Sequence, residues 1–152
     1  MKFCGSDVLR GRFGRYNTVA LVVRFTKVSP CMMVFAQDGA DFSLRVGDGH
    51  RGFRRDRADG NDWEYGVSDR LMLNGDNVAH CWKGFPSAPV VIVAVKRRGR
   101  VDEGFTYSLS SRMFGDRGFR GYIGEVRAYS RAITVSEAKV LHEQLSQKWI
   151  QS

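Results

Sequence analysis

Apolar and polar residues change places with period two along most of this chain. DFSLRV puts Phe42, Leu44 and Val46 on one face and Asp41, Ser43 and Arg45 on the other, the signature of a half-solvated strand. TVALVVRFTKV (Thr18 to Val28) opens with a long β-branched run, and CMMVFAQ follows the Ser29-Pro30 turn signal. DWEYGV sets Trp63, Tyr65 and Val67 on one side, and short apolar runs come at RLML and AHCW. PVVIVAVK is apolar almost throughout, which suits a central strand. GFTYSL alternates again through Phe105, Tyr107 and Leu109. The polar, Gly-rich stretch from Gly47 to Asp62 reads as a long loop, and KRRGR (Lys96 to Arg100) as a basic turn. About nine or ten short strands separated by turns predict an all-β antiparallel sandwich. The chain's 152 residues suit one domain, with strands over about 2–129.

The C-terminal stretch changes period. In FRGYIGEVRAY, Phe119, Gly121 and Ile123 share one strand face, and Tyr122, Gly124, Val126 and Ala128 share the other. Glu125 and Arg127 stand two apart, placed for a lateral ion pair. The strand is expected to end at Ser130-Arg131. Thr134 lies three residues before Glu137, the spacing of a reciprocal helix cap. Ala138, Leu141, Leu145 and Trp149 then recur at helical spacing, which predicts one apolar stripe on a helix over about 135–149. That helix docks on the sandwich, with Trp149 as its anchor.

Charge adds a partner class to this picture. The net charge is +8, and arginine outnumbers lysine 18 to 6. Such a balance favours acidic partners: an acidic protein, nucleic acid, an anionic membrane surface or sulfated glycans. The N-terminus has no continuous apolar segment of signal-peptide type, and no run reaches the roughly 18 apolar residues of a membrane span. Cys4, Cys31 and Cys81 have no paired spacing and read as reduced, mostly buried thiols. Together these predict cytoplasmic synthesis, and a particle assembled inside a cell, such as a virion, also fits.

The signature Phe119, Gly121, Ile123, Glu125, Val126, Tyr129, Arg131, Ala132, Ile133, Thr134, then Glu137, Leu145, Lys148 and Trp149, resembles the C-terminal motif of laminin-G-like domains. MKFCGSDVL, TVALVVRF and PVVIVAVKRRGR are similar to that family's earlier strands. The resemblance implies a jelly roll of the concanavalin A-like lectin/glucanase superfamily. It also implies that the chain begins at the family's second strand, so that an outer strand is missing or supplied by a partner. Every matched residue packs or turns; none carries chemistry, so the likeness leaves activity open.

Candidate chemistry is sparse. Glycosidases of this superfamily resemble one another in a strand-borne pair of carboxylates, and catalysis needs such a pair roughly 5–10 Å apart. The five glutamates Glu64, Glu103, Glu125, Glu137 and Glu143 do not follow that pattern. His80 and Cys81 are neighbours that point to opposite strand faces, and His50 and His142 are remote, so no catalytic or metal-binding set is assigned. Rim calcium sites of laminin-G-like domains imply calcium as a candidate ion, for which Asp38, Asp41, Asp48, Asp59, Asp62 and Asp76 lie in or beside turns. A glycan platform could be built from Asn61, Asp62, Trp63, Tyr65, Asn74 and Asp76, against a plainer reading in which Trp63 and Tyr65 face the core. Arg51, Arg54, Arg55, Arg57, Arg97, Arg98 and Arg100 form basic tracts suited to docking a protein. With Phe53 as their one aromatic they offer nucleic acid charge without stacking. The expectation is a non-catalytic structural module that docks onto a larger assembly or a second copy. A virion decoration or tail-appendage component is the setting by analogy. A carbohydrate-binding lectin module is the alternative, and a glycoside hydrolase a remote one.

Overall fold

The computed structural model describes residues 1–5, 7–12, 16–28, 32–37, 43–46, 53–54, 70–77, 88–95, 106–110 and 118–151. Among these lie eleven strands: β1 (Lys2–Cys4), β2 (Val8–Arg12), β3 (Thr18–Lys27), β4 (Met33–Gln37), β5 (Ser43–Val46), β6 (Phe53–Arg54), β7 (Arg70–Leu73), β8 (Asp76–Asn77), β9 (Val90–Val95), β10 (Thr106–Ser110) and β11 (Arg120–Tyr129). One helix follows, α1 (Val135–Trp149). The strands form a six-stranded sheet in the order β1-β11-β3-β9-β7-β8 and a five-stranded sheet in the order β2-β10-β4-β5-β6. Every pairing is antiparallel. β6 lies inside the stretch predicted to be a loop, where it pairs Arg54 with Arg45. The segments DWEYGV and AHCW lie outside the described residues.

The two sheets share a core. Val19, Leu21, Val23, Val90 and Ile92 from the larger sheet meet Val34, Phe35 and Leu109 from the smaller one. Phe3, Phe25 and Phe119 close one end of this layer. A second core lies on the outer face of the larger sheet, where Ala20, Val22, Met72, Val91, Val93 and Val95 meet Ala138, Leu141 and Leu145 of α1. β3 and β9 are therefore covered on both faces. All six residues of β9 are buried, and this is why its sequence runs apolar without alternation.

The strand-to-helix junction is fixed by three devices. Thr18, buried in β3, donates its hydroxyl to Arg131 O at 2.8 Å and accepts from Ile133 N–H at 3.3 Å. Thr134 caps the helix: its hydroxyl accepts from Glu137 N–H at 3.2 Å, while the Glu137 carboxylate accepts from Thr134 N–H at 2.7 Å. Glu137 also takes both guanidinium nitrogens of Arg131. Thr134→Ala removes the hydroxyl acceptor and is expected to cost about 1 kcal/mol by urea denaturation; an unchanged midpoint would dismiss the cap.

Three sequence expectations are corrected. A register shift between Ile123 and Glu125 reverses the inward parity of β11, so Val126 packs on the inter-sheet core with Ile123 instead of facing away. Trp149 is 40% exposed: the apolar stripe of α1 ends at Leu145, and the indole lies on the surface over Gly124, whose missing Cβ leaves it room. Cys4 is an exposed free thiol because it occupies an outward position of β1.

Candidate functional site

The polar positions of β1, β11 and β3 converge on the part of the larger sheet that α1 leaves open. Phe3 points inward, so Lys2 and Cys4 point out; Gly121 and Ile123 point inward, so Arg120 and Tyr122 point out. On β3 the outward row runs Ala20, Val22 and Arg24, the first two under α1 and the third exposed; a register shift between Arg120 and Gly121 then sets the exposed Lys27, in place of Thr26, opposite the outward Arg120. The register sets Lys2 beside Tyr122 and Tyr122 beside Arg24, and in the next row Cys4 beside Arg120 and Arg120 beside Lys27. Neighbouring strands stand about 4.8 Å apart, so four cations surround one exposed tyrosine on a rigid surface. Tyr122 is 41% exposed. Among the described residues none of Lys2, Arg24, Lys27 and Arg120 takes part in an ion pair.

The margin beside this face is built by the N-terminal chain. β1 edges the larger sheet and β2 edges the smaller one, joined through Gly5, whose φ of +98° suits only glycine. A Cβ on Gly118 would fall 1.6 Å from Gly5 O, so the two backbones press together there. Met1 and Ile123 exchange both main-chain bonds, at 2.8 and 2.9 Å. Antiparallel alternation then turns the N–H and C=O of Lys2 and Cys4 toward the open side. Asp7 occupies one of these groups: its carboxylate accepts from Cys4 N–H at 2.7 Å.

The ionised groups at the helix end are committed to holding α1. Glu125 accepts from Arg127 Nε at 2.6 Å, Lys148 Nζ at 2.9 Å and Trp149 Nε1 at 2.7 Å. Hydrogen bonds from Lys148 and Trp149, with the Arg127 bond and charge beside them, hold its pKa at about 2, against an ordinary 4.5. The Arg131 fork and the Thr134 cap lower that of Glu137 to about 2 as well. A depressed carboxylate stabilises the fold above its unfolded pKa, and that contribution is lost as pH falls from 4.5 toward about 2. Urea midpoints of the native chain are therefore expected to fall across that window. Glu125→Gln should show a shallower fall and a lower plateau at neutral pH; identical profiles would remove Glu125 from the helix attachment.

Beside this pair runs a groove of about 320 Å³ between Tyr129, Ile133, Val140 and Gln144. Its charged residues, Arg131 and Glu137, neutralise each other. His142 Nδ1 lies 3.1 Å from Ser146 Oγ, one helical turn on. Among the described residues no three His, Cys, Asp or Glu side chains gather into a metal site, and no helix is long and apolar enough to cross a membrane.

Of the proposed glycan platform, Asn74 and Asp76 are described; Asn61, Asp62, Trp63 and Tyr65 lie outside the described residues. Asn74 serves the β7–β8 turn: its φ is +50°, its Oδ1 accepts from Val91 N–H at 2.9 Å, and its N–H donates to Val91 O at 2.9 Å. Gly75 continues the turn at φ +84°, beneath Lys139 of α1. The Asn-Gly dipeptide after RLML was the available signal for this hairpin. Asp76 is exposed on β8. Of the basic tracts, Arg54 lies in β6 at the far edge of the smaller sheet; Arg51, Arg55, Arg57, Arg97, Arg98 and Arg100 lie outside the described residues, as do the other turn aspartates. The face around Tyr122 was missed because its cations are scattered from residue 2 to residue 120. Their common signal was the polar position in each strand's alternation. Compared with family models, curated proteins and solved structures, the chain has no match.

Proposed function

We propose that this chain is a non-catalytic interaction module, a jelly roll of laminin-G-like type, that docks onto an acidic surface of a larger assembly. The observation that carries the reading is the face of Lys2, Arg24, Lys27 and Arg120 around Tyr122, which bears four cations without an ion-pair partner among the described residues. The strands that carry it are held by the inter-sheet core, so little backbone ordering opposes binding. Arginine supports the reading further, because its planar fork pairs with carboxylates at interfaces. A virion surface, as a decoration or tail-appendage component, is the setting that the likeness to particle-borne jelly rolls suggests.

The test is recovery of the chain from its native source. It is expected in stoichiometric amounts with a large assembly, indifferent to free sugars and released as salt rises toward about 0.5 M, where exposed charges are screened within a few ångströms. Release by a free sugar, abolished by Trp63→Ala in a folded protein, would replace this reading with a lectin. Polysaccharide turnover lost on replacing one carboxylate would replace it with a hydrolase.

A further inference from the structure

The edge of the smaller sheet differs from that of the larger one. β1 is three residues long, and Asp7 already takes the outward N–H of Cys4. β2 is five residues long, and among the described residues it pairs with β10 alone. Its register places Leu9 opposite Leu109 and Gly11 opposite Tyr107, so Leu9 belongs to the inward face, while Val8 and Arg10 face out. Yet Leu9 is 40% exposed, and Val8 is 44% exposed on the other face. Among the described residues, Val8–Gly11 thus combines a strand edge that no second strand covers with exposed apolar side chains.

We propose that β2 receives an extended acidic segment of the docking partner, which adds as a sixth strand beside Val8–Arg12. This rests on the docking reading and names the form its partner takes. An added strand would set alternate side chains inward against Leu9 and outward beside Arg10, so the segment should alternate apolar and acidic residues. Charge decides against a second copy of this chain. Two-fold pairing centred on β2 would place Arg10 opposite the Arg10 of the other copy, and each copy carries +8. A carboxylate at that position removes the repulsion and pairs with Arg10, which has no ion-pair partner among the described residues.

The probe is a capped synthetic peptide of about ten alternating Glu and Val residues, long enough to span a strand of this size. A Lys/Val peptide of equal length is the control, and the reading is amide hydrogen exchange of the whole chain. Strand addition is expected to slow exchange at alternate amides of Val8–Arg12, those turned away from β10, and to leave Lys2–Cys4 unchanged. Arg10→Glu, at an exposed position that leaves the fold intact, should weaken the Glu/Val peptide about fivefold and favour the Lys/Val peptide by a similar factor. The proposal is overturned if the Glu/Val peptide fails to bind, if it binds without alternate protection in β2, or if both peptides bind the native chain equally. β2 protection that rises with protein concentration in the absence of peptide would overturn it in favour of self-pairing. Failure here with docking still sensitive to the basic face would remove the added strand alone; docking indifferent to that face would remove the underlying reading.

Discussion

Phe119→Ala is expected to destabilise the chain by about 3–5 kcal/mol. The ring is fully buried and contacts both aromatic neighbours at its end of the core. Its centroid stands 5.4 Å from that of Phe25 in an edge-to-face arrangement and 6.0 Å from that of Phe3 in a tilted one. Truncation thus opens a cavity shared by β1, β11 and β3, where the backbone has little freedom to collapse: Phe119 N–H is held by Ser110 Oγ at 2.9 Å, and Gly118 presses on Gly5. Phe119→Leu keeps most of the volume and should cost clearly less. Urea denaturation with an unchanged slope measures both. A loss below about 1 kcal/mol for the alanine variant would mean that these three rings do not form one packed cluster.

Leu145→Ala is expected to cost about 2–5 kcal/mol. Leu145 is 1% exposed and seals α1 against the outer face of the larger sheet. Removing it opens a void in the layer that Leu145 shares with Ala138, Leu141 and Ile133 over Val91, Val93 and Val95. Val140→Ala on the same helix provides the contrast. Val140 is 53% exposed, so its truncation should change stability by no more than about 0.5 kcal/mol. Equal effects at the two positions would show that the helix does not pack by this face.

The sequence discloses those elements in which one physical signal dominates. The run VVIVAV announced a central strand, and Thr134 with Glu137 announced the helix start, because each pattern has few alternative explanations. The Glu125–Arg127 pair was legible because strand neighbours two apart share a face. The bulge near Gly124 was not: a parity change costs no distinctive residue, and only pairing with β3 exposes it. Trp149 misled because helical spacing alone does not say whether a ring at the end of a stripe is covered or lies on the surface. The basic face stayed hidden for a different reason. Its members come from three strands, and their meeting depends on a strand order, β1-β11-β3, that no local pattern encodes. The loop arginines, by contrast, drew attention because they are adjacent in sequence, although adjacency in a loop says little about a shared surface.

Binding of the partner by the face around Tyr122 can be read by sedimenting the chain with its purified assembly across rising salt. The native chain is compared with a variant carrying Lys2→Glu, Arg24→Glu and Arg120→Glu. All three positions are exposed and outward, so the variant should keep the native urea midpoint to within about 1 kcal/mol. The native chain is expected to co-sediment at low salt and to be released as salt rises, and the variant to stay in solution throughout. Co-sedimentation of the folded variant with the same affinity and the same salt dependence would contradict it.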